Sequence, residues 1–377
     1  MAAEFGSLDR GVLTTSHLMK LANDGALQGE RPIRADQFQP ASLDLTLSRE
    51  AYKLPGSVLP LRGESVRSLI DSFHARPLDL AEPSYLDRGQ VYLIRLNESF
   101  RLPHSLSAYT NNRSSIGRID VQTRTLADGH PRYDKVPAGY GGELWIELIS
   151  KSFDLRVRAG ISFNQAILYQ RRAWLGEEEL RARFQRQPLL WDARGKAIDP
   201  ATCIQDEGLL MSVDLQEEVV GWAARRSPEP VVLDEPRVHE ALEFFEPLRT
   251  SRRGVLLLAR GRFHILSTAE RILVPRDLAV EMLPYDAMAG EFRAHYAGFF
   301  DPGFGEFPGR EQQGTAAVLE LRSYDDDLML RPGQPICKMA YEHLATPTER
   351  PYGADEASSH YARQRGPRLA RFFRMPD

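Results

Sequence analysis

Apolar residues in this chain fall in short runs rich in β-formers. Val91-Tyr92-Leu93-Ile94, Leu144-Trp145-Ile146-Glu147-Leu148 and Val255-Leu256-Leu257-Leu258 are continuous or alternating, the pattern of buried or half-buried strands. Arg88-Gly89, Arg158-Ala159-Gly160 and Arg331-Pro332-Gly333 mark turns between them. Helical signals are few. Thr15-Ser16 caps a predicted helix through Leu27, Glu177 to Gln187 is charged and helix-prone, and Pro236 to Phe245 carries a Pro-started helical pattern. The expectation is an all-β protein, two small barrels or sandwiches with a few short helices.

The number two comes from an internal repeat. Ser42-Leu43-Asp44-Leu45 returns as Ser212-Val213-Asp214-Leu215, and Arg88-Gly89 followed by Leu102-Pro103 returns as Arg260-Gly261 followed by Val274-Pro275. Glu147-Leu148 returns as Glu320-Leu321, and the Arg158 turn as the Arg331 turn. The offset drifts only from 170 to 173 residues. We therefore divide the chain into a first copy (1–172), a partly helical connecting insert (173–205), a second copy (206–348) and a basic tail (349–377).

Composition narrows the class. The 377 residues are 42% hydrophobic and 27% charged, with a net charge of −4, ordinary values for a globular protein. The longest clean apolar run, Gly254 to Ala259, falls far short of the ~20 residues of a membrane helix. The first residues have neither the basic start nor the apolar stretch of a signal peptide, so a cytoplasmic protein without a membrane partner is expected. An acidic chain without a Lys/Arg block argues against nucleic-acid binding. Two cysteines, Cys203 and Cys337, make neither a disulfide framework nor a thiolate metal cluster.

At Arg113-Ser114-Ser115-Ile116-Gly117-Arg118 the sequence resembles the dCTP deaminases of the dUTPase superfamily. Gln39 to Leu45 is similar to their opening strand, Leu102-Pro103 to the dipeptide before their phosphate loop, and Gly139-Tyr140-x-Gly142 with Glu147 to their hairpin and catalytic strand. Arg350-Pro351-Tyr352-Gly353 resembles the start of their closing tail. The likeness matches a double-length bacterial form with two fused copies. It implies two tandem dUTPase-like distorted jelly-roll β-barrels, assembly around three-fold axes, and conversion of dCTP to dUTP and ammonia. Three chains supplying six copies is the simplest closed homo-oligomer.

Deamination at C4 of cytosine needs an activated water and a proton shuttle, which one carboxylate can supply. Glu147 is the candidate, standing with Trp145 on the strand face opposite Leu144, Ile146 and Leu148. Desolvation there would raise its pKa toward the working pH. Arg113, Ser114, Ser115 and Arg118 suit a triphosphate, through hydroxyls, backbone N–H groups and guanidinium forks. The resemblance adds Ser114 and Arg118 as neighbours of the water and base, with Arg118 holding Glu147 ionised. In the second copy Ser114, Ser115 and Arg118 fall on Ala287, Met288 and Glu291, so catalysis is expected from the first copy, with Glu320 structural. The first hairpin reads Pro137-Ala138-Gly139-Tyr140, whereas the second keeps Asp301-Pro302-Gly303-Phe304. Family sites form between neighbouring subunits, so the second copy could lend its hairpin to a composite site. Tyr140 is a candidate for stacking on the deoxyribose. In the Arg-rich tail, a candidate lid, the resemblance points to Tyr352 and Gln364 as phosphate contacts, with His360 where the family has Lys.

Zinc deaminases carry His-x-Glu and Pro-Cys-x-x-Cys, and neither is here; no protein-bound metal is expected, and Mg2+ would arrive on the triphosphate. Three readings follow: a deaminase releasing dUTP, a bifunctional enzyme cleaving on to dUMP and pyrophosphate, and a non-catalytic nucleotide-binding regulator. The hairpin's missing aspartates weigh against the second. The family resemblance suggests dTTP as a feedback inhibitor.

Overall fold

The computed structural model describes residues 10–285, 292–294, 298–307, 309, 312–324, 326–354, 361–362 and 364–376. Strands dominate, as the residue pattern predicts. The first copy's main sheet runs Val121–Ala127, Gly141–Ser150, Val91–Arg101, Leu43–Leu54, Ser162–Tyr169, Ser107–Asn112 and Lys135–Val136 in spatial order. Most strands of the second copy fall in two sheets, one centred on Phe263–Ile272 and Thr315–Ser323, the other on Pro335–His343 and Leu278–Pro284.

The repeat is visible in the registers. Leu93 faces Glu147, and Ile265 faces Glu320. The ladder slips between Arg95 and Ser99 in the first copy and between Ser267 and Arg271 in the second, an irregularity kept in both. At each slip a carboxylate ties down the opening strand. Glu98 accepts from Thr46 N and Oγ1 at 2.7 and 2.8 Å; Glu270 accepts from Ser212 N and Oγ at 2.7 and 2.6 Å.

Strand alternation explains the core. Leu144, Ile146 and Leu148 enter the main core, while Trp145 on the other face joins a second cluster with Leu54, Val58, Val66, Leu69 and Ile70. The last three belong to a helix, Val66–Ser72, that the residue pattern does not signal; Ser65 caps it by accepting from Ser68 N at 3.1 Å. The other helices are shorter than expected. Thr15–Asn23 stops before Leu27, because Gly25 turns at φ +76° and Leu27–Gly29 pairs as a strand with Glu98 to Phe100. Only Ala241–Phe244 of the Pro236 segment is helical, since His239–Glu240 pairs with Phe373–Arg374. Glu177–Arg186 forms the helix expected in the insert. No helix among the described residues is long and apolar enough to cross a membrane.

The copies share a core rather than merely touching. Trp222, Phe244, Phe245, Phe263, Ile265 and Val318 of the second copy pack with the first copy's residues, joined by Leu369, Phe372 and Phe373 of the tail. Val231–Val232 pairs in parallel with Leu155–Val157, covering a first-copy sheet edge. At the end of the first copy, Arg172 donates to Glu342 and Glu281 and lies 4.1–4.3 Å from the ring centres of Trp174 and Tyr109. Burying that much apolar surface fixes how each copy faces the other, and this orientation builds the site.

Candidate active site

The Arg113–Arg118 segment leaves the strand Ser107–Asn112 and makes one helical turn, Ser114–Gly117. Arg113 N donates to Phe163 O at 3.0 Å and Arg118 N to Ser114 O at 3.1 Å, while Ile116 anchors the turn in the core. The turn faces a pocket walled by both copies and the tail. Asp301, Phe304 and Glu320 line it, together with Asp44 and with Tyr352, Tyr361 and Gln364 of the tail.

The decisive contact is between the turn and Glu320. This carboxylate is 4% exposed and lies directly against Gly117. A Cβ built on Gly117 would stand 2.2 Å from Glu320 Oε2 and 2.6 Å from Oε1. The absence of a side chain at residue 117 therefore lets an acid of one copy sit among Ser114, Ser115 and Arg118 of the other. Arg118 is buried, which lowers its pKa; Tyr361 and Glu320 act in the opposite sense. The tail holds the guanidinium: Arg118 Nη2 donates to Gln364 Oε1 at 2.9 Å, Nη1 to Arg368 O at 2.8 Å, and Tyr361 stacks at 3.8 Å. Ser115 Oγ and Tyr361 OH are 2.8 Å apart.

Two more acids complete the pocket. Burial pushes Asp301 up to about 7 and Asp44 up to about 6. Asp301 accepts from Ala41 N at 3.1 Å, and Asp44 Oδ2 is 3.2 Å from Arg113 Nη1. Among the described residues no group of three or more His, Cys, Asp or Glu is disposed to hold a metal ion.

Glu147 lies elsewhere. Its expected pairing with Arg118 is not made. It is 1% exposed and accepts from Ser57 Oγ and Val58 N, both at 2.9 Å, with Arg124 Nη1 at 3.9 Å. Burial raises its pKa in the expected direction, but the residues burying it belong to a segment of its own copy. Tyr140 is also removed from the pocket: it packs in the first copy's core, donating to Glu143 O and accepting from Asp128 N at 3.2 Å. Ala287, Met288, Glu291 and His360 lie outside the described residues. The pocket thus brings together Arg113, Ser114, Ser115, Arg118, Tyr352 and Gln364, without Glu147 or Tyr140. Sequence reasoning passed over Tyr361 and treated Glu320 as structural. The signal available for Glu320 was its place in the repeat beside the intact Asp301 hairpin.

Comparison with known proteins agrees with this two-copy architecture. The family model for the dCTP deaminase N-terminal domain matches residues 9–172 and that for the C-terminal domain matches 176–373. The chain belongs to the dCTP deaminase family. A solved dCTP deaminase from Agrobacterium tumefaciens superposes with a TM-score of 0.84 at 35% identity, over 90% of this chain and 97% of that one. A protein of Beutenbergia cavernae named "dCTP deaminase, dUMP-forming" is 33% identical over 117 residues, 30% of this chain and 57% of its own length. One of the same name from Methanobrevibacter smithii is 27% identical over 46% of this chain and 86% of its length. The chain spans little more than half the length of several such relatives, 55% for that of Leifsonia xyli.

Proposed function

We propose that this chain hydrolytically deaminates dCTP at a site built by both of its copies, with Glu320 as the general base and acid. The observation that carries this reading is the Glu320 carboxylate lying against Gly117, in the pocket that Ser114 and Arg118 also line. In the reaction, Glu320 takes a proton from water as its oxygen bonds to C4 of the cytosine and passes it to N3, then carries the remaining proton of the new C4 hydroxyl to the departing amine. The C4–N bond breaks, ammonia leaves and a uracil carbonyl remains. Ser114 and Arg118 hold the water and the ring, while Arg113, Ser115, Tyr352 and Gln364 take the triphosphate. Asp301 and Phe304 are left for the deoxyribose. Magnesium, in this reading, is carried in by the phosphates.

The tail's place is part of the proposal. With Tyr361 and Gln364 docked, the pocket holds only about 80 Å³ of open space, against the ~300–1,000 Å³ of ordinary ligand pockets. Nucleotide entry must therefore shift these side chains, and their return would shut water out. Assembly into three-fold homo-oligomers and inhibition by dTTP are carried over from the resemblance as further parts of this proposal.

For the product, the relatives' names favour deamination followed by cleavage to dUMP and pyrophosphate over release of dUTP. The aspartates missing from the first hairpin do not weigh against this, because the hairpin at this pocket is the second copy's, which keeps Asp301. Incubation with dCTP and magnesium, with nucleotides resolved by anion exchange, tests both steps. Formation of dUMP and pyrophosphate supports the bifunctional reading, and accumulation of dUTP limits the enzyme to deamination. Inert dCTP with intact nucleotide binding would leave the regulator.

A further inference from the structure

Glu320 and the Arg118 turn come from different copies, so their alignment depends on what locks the seam beside them. Two residues beyond Arg118, Asp120 has a fully buried side chain; two residues beyond Glu320, Arg322 is 12% exposed. They meet across the seam. Arg322 donates through Nη2 to Asp120 Oδ2, with Nε 3.4 Å from Oδ1. Ser152 Oγ donates to Asp120 Oδ2 at 2.6 Å and accepts from Arg322 Nη2 at 3.1 Å; Arg322 Nη1 donates to Gly261 O.

From this geometry, and resting on the site reading above, we infer that Asp120 and Arg322 are positioning residues that set the Glu320 carboxylate against Ser114 and Arg118. Three observations carry it. First, alternate residues of a strand share a face, so fixing Arg322 fixes the face of Thr315–Ser323 that presents Glu320. Second, Asp120 is rigid for its own reasons. It sits at φ +59°, a conformation strained for residues other than Gly but tolerated by Asp and Asn. Its N–H donates to Gly117 O at 2.9 Å and its carbonyl accepts from Lys151 N at 3.0 Å, so its carboxylate has a fixed place relative to the turn. Third, a buried ion pair brings little net stability over an apolar pair of the same size, but it is geometrically demanding. The guanidinium fork, unlike a lysine ammonium, fixes direction as well as distance.

Neither residue lines the pocket, so neither is a catalytic residue. Of the binding groups, Arg113 caps the start of the turn and Ser115 lies in its first half, whereas the ion pair is made beyond the turn's end. Loss of the lock should therefore appear in kcat and not in KM.

The test compares wild-type enzyme with Asp120→Asn, Arg322→Lys, the double variant Asp120→Asn/Arg322→Gln, and Glu320→Gln. Each is assayed for dCTP deamination with magnesium, per folded protein. Asparagine keeps the left-handed backbone and the shape while removing the charge; lysine keeps the charge and loses the fork. The single variants are expected to lower kcat between about 10- and 100-fold, the effect of an ångström-scale misplacement, with KM within about 3-fold of wild type. The double variant should lose little more than the weaker single variant, because both changes break the same contact; losses that simply multiply would count against the shared role. Single variants with wild-type kcat, or with KM rising in step, would overturn the inference whatever their melting temperatures. Should Glu320→Gln also turn over at the wild-type rate, the site reading falls with it; an inactive Glu320→Gln beside fully active Asp120→Asn and Arg322→Lys would remove the positioning role alone.

Discussion

Replacing Glu147 should cost stability and spare turnover. Its carboxylate accepts one hydrogen bond from the Ser57 hydroxyl and one from the Val58 N–H, each at 2.9 Å, in a site 1% exposed. In Glu147→Gln the amide oxygen can keep the Val58 N–H, and the amide nitrogen can donate to Ser57, whose hydroxyl can rotate to accept. Two charge-assisted bonds become neutral ones, a loss of about 1 kcal/mol each. Relief of a charge that burial already disfavours offsets part of it. The net cost is then about 1 kcal/mol, a fall of roughly 2–4 °C in melting temperature for a unit of this size. Glu147→Ala is harsher, because the Ser57 and Val58 donors lose their acceptor and a cavity opens; about 3–5 kcal/mol is expected. Thermal melts and dCTP turnover, measured well below the transition, check both. Turnover within about 3-fold of wild type is predicted. A hundredfold loss of activity in Glu147→Gln with an unchanged melt would refute the reasoning and return catalysis to the first copy.

Other consequences are as direct. Asp301 and Asp44 have native pKa values of about 7 and about 6, above the ~3.9 of an unfolded aspartate. The native state therefore keeps protons that the unfolded chain has released between roughly pH 4 and 7. Their stabilisation is complete below pH ~4 and is lost as pH rises through 6 to 7. Melting temperatures across this range should show it, and Asp301→Asn should flatten the slope; an equal slope in the variant would contradict it. Tyr361→Ala removes the ring stacked on Arg118 and should raise KM for dCTP about 3- to 10-fold, together with the lower melting temperature expected for losing a side chain 6% exposed; an unchanged KM in steady-state assays would exclude a role for that contact in binding. Phe372→Ala hollows a side chain 1% exposed and should destabilise by about 3–5 kcal/mol, read by denaturant unfolding.

Much of this was legible in the residue order, and the parts that were not share a cause. Strand alternation exposed the sheets, because side-chain direction follows from backbone geometry two residues at a time. The repeat exposed the two copies, and the Arg113–Arg118 turn announced itself by composition. What residue order could not supply was which carboxylate meets that turn. Glu147 and Glu320 occupy equivalent registers opposite Leu93 and Ile265, so nothing local separates them. The choice is made by docking of the copies over a shared apolar core and by a segment of the first copy, Ser57 and Val58, that closes over one acid. Ser57 and Val58 lie between strands in a segment with weak periodicity, and the Val66–Ser72 helix is too short to leave a clear stripe. The tail's packing is hidden for a different reason: its arginines advertise solvent, while Leu369, Phe372 and Phe373 are buried.

The central claim is that the two copies of one chain jointly make the site, with Glu320 as its acid and base. Single-turnover deamination of dCTP by Glu320→Gln tests it most directly, with nucleotide binding measured on the same sample. The account predicts retained dCTP binding and a deamination rate at least ~10²-fold below wild type. A variant that binds dCTP and deaminates it at the wild-type rate would contradict it.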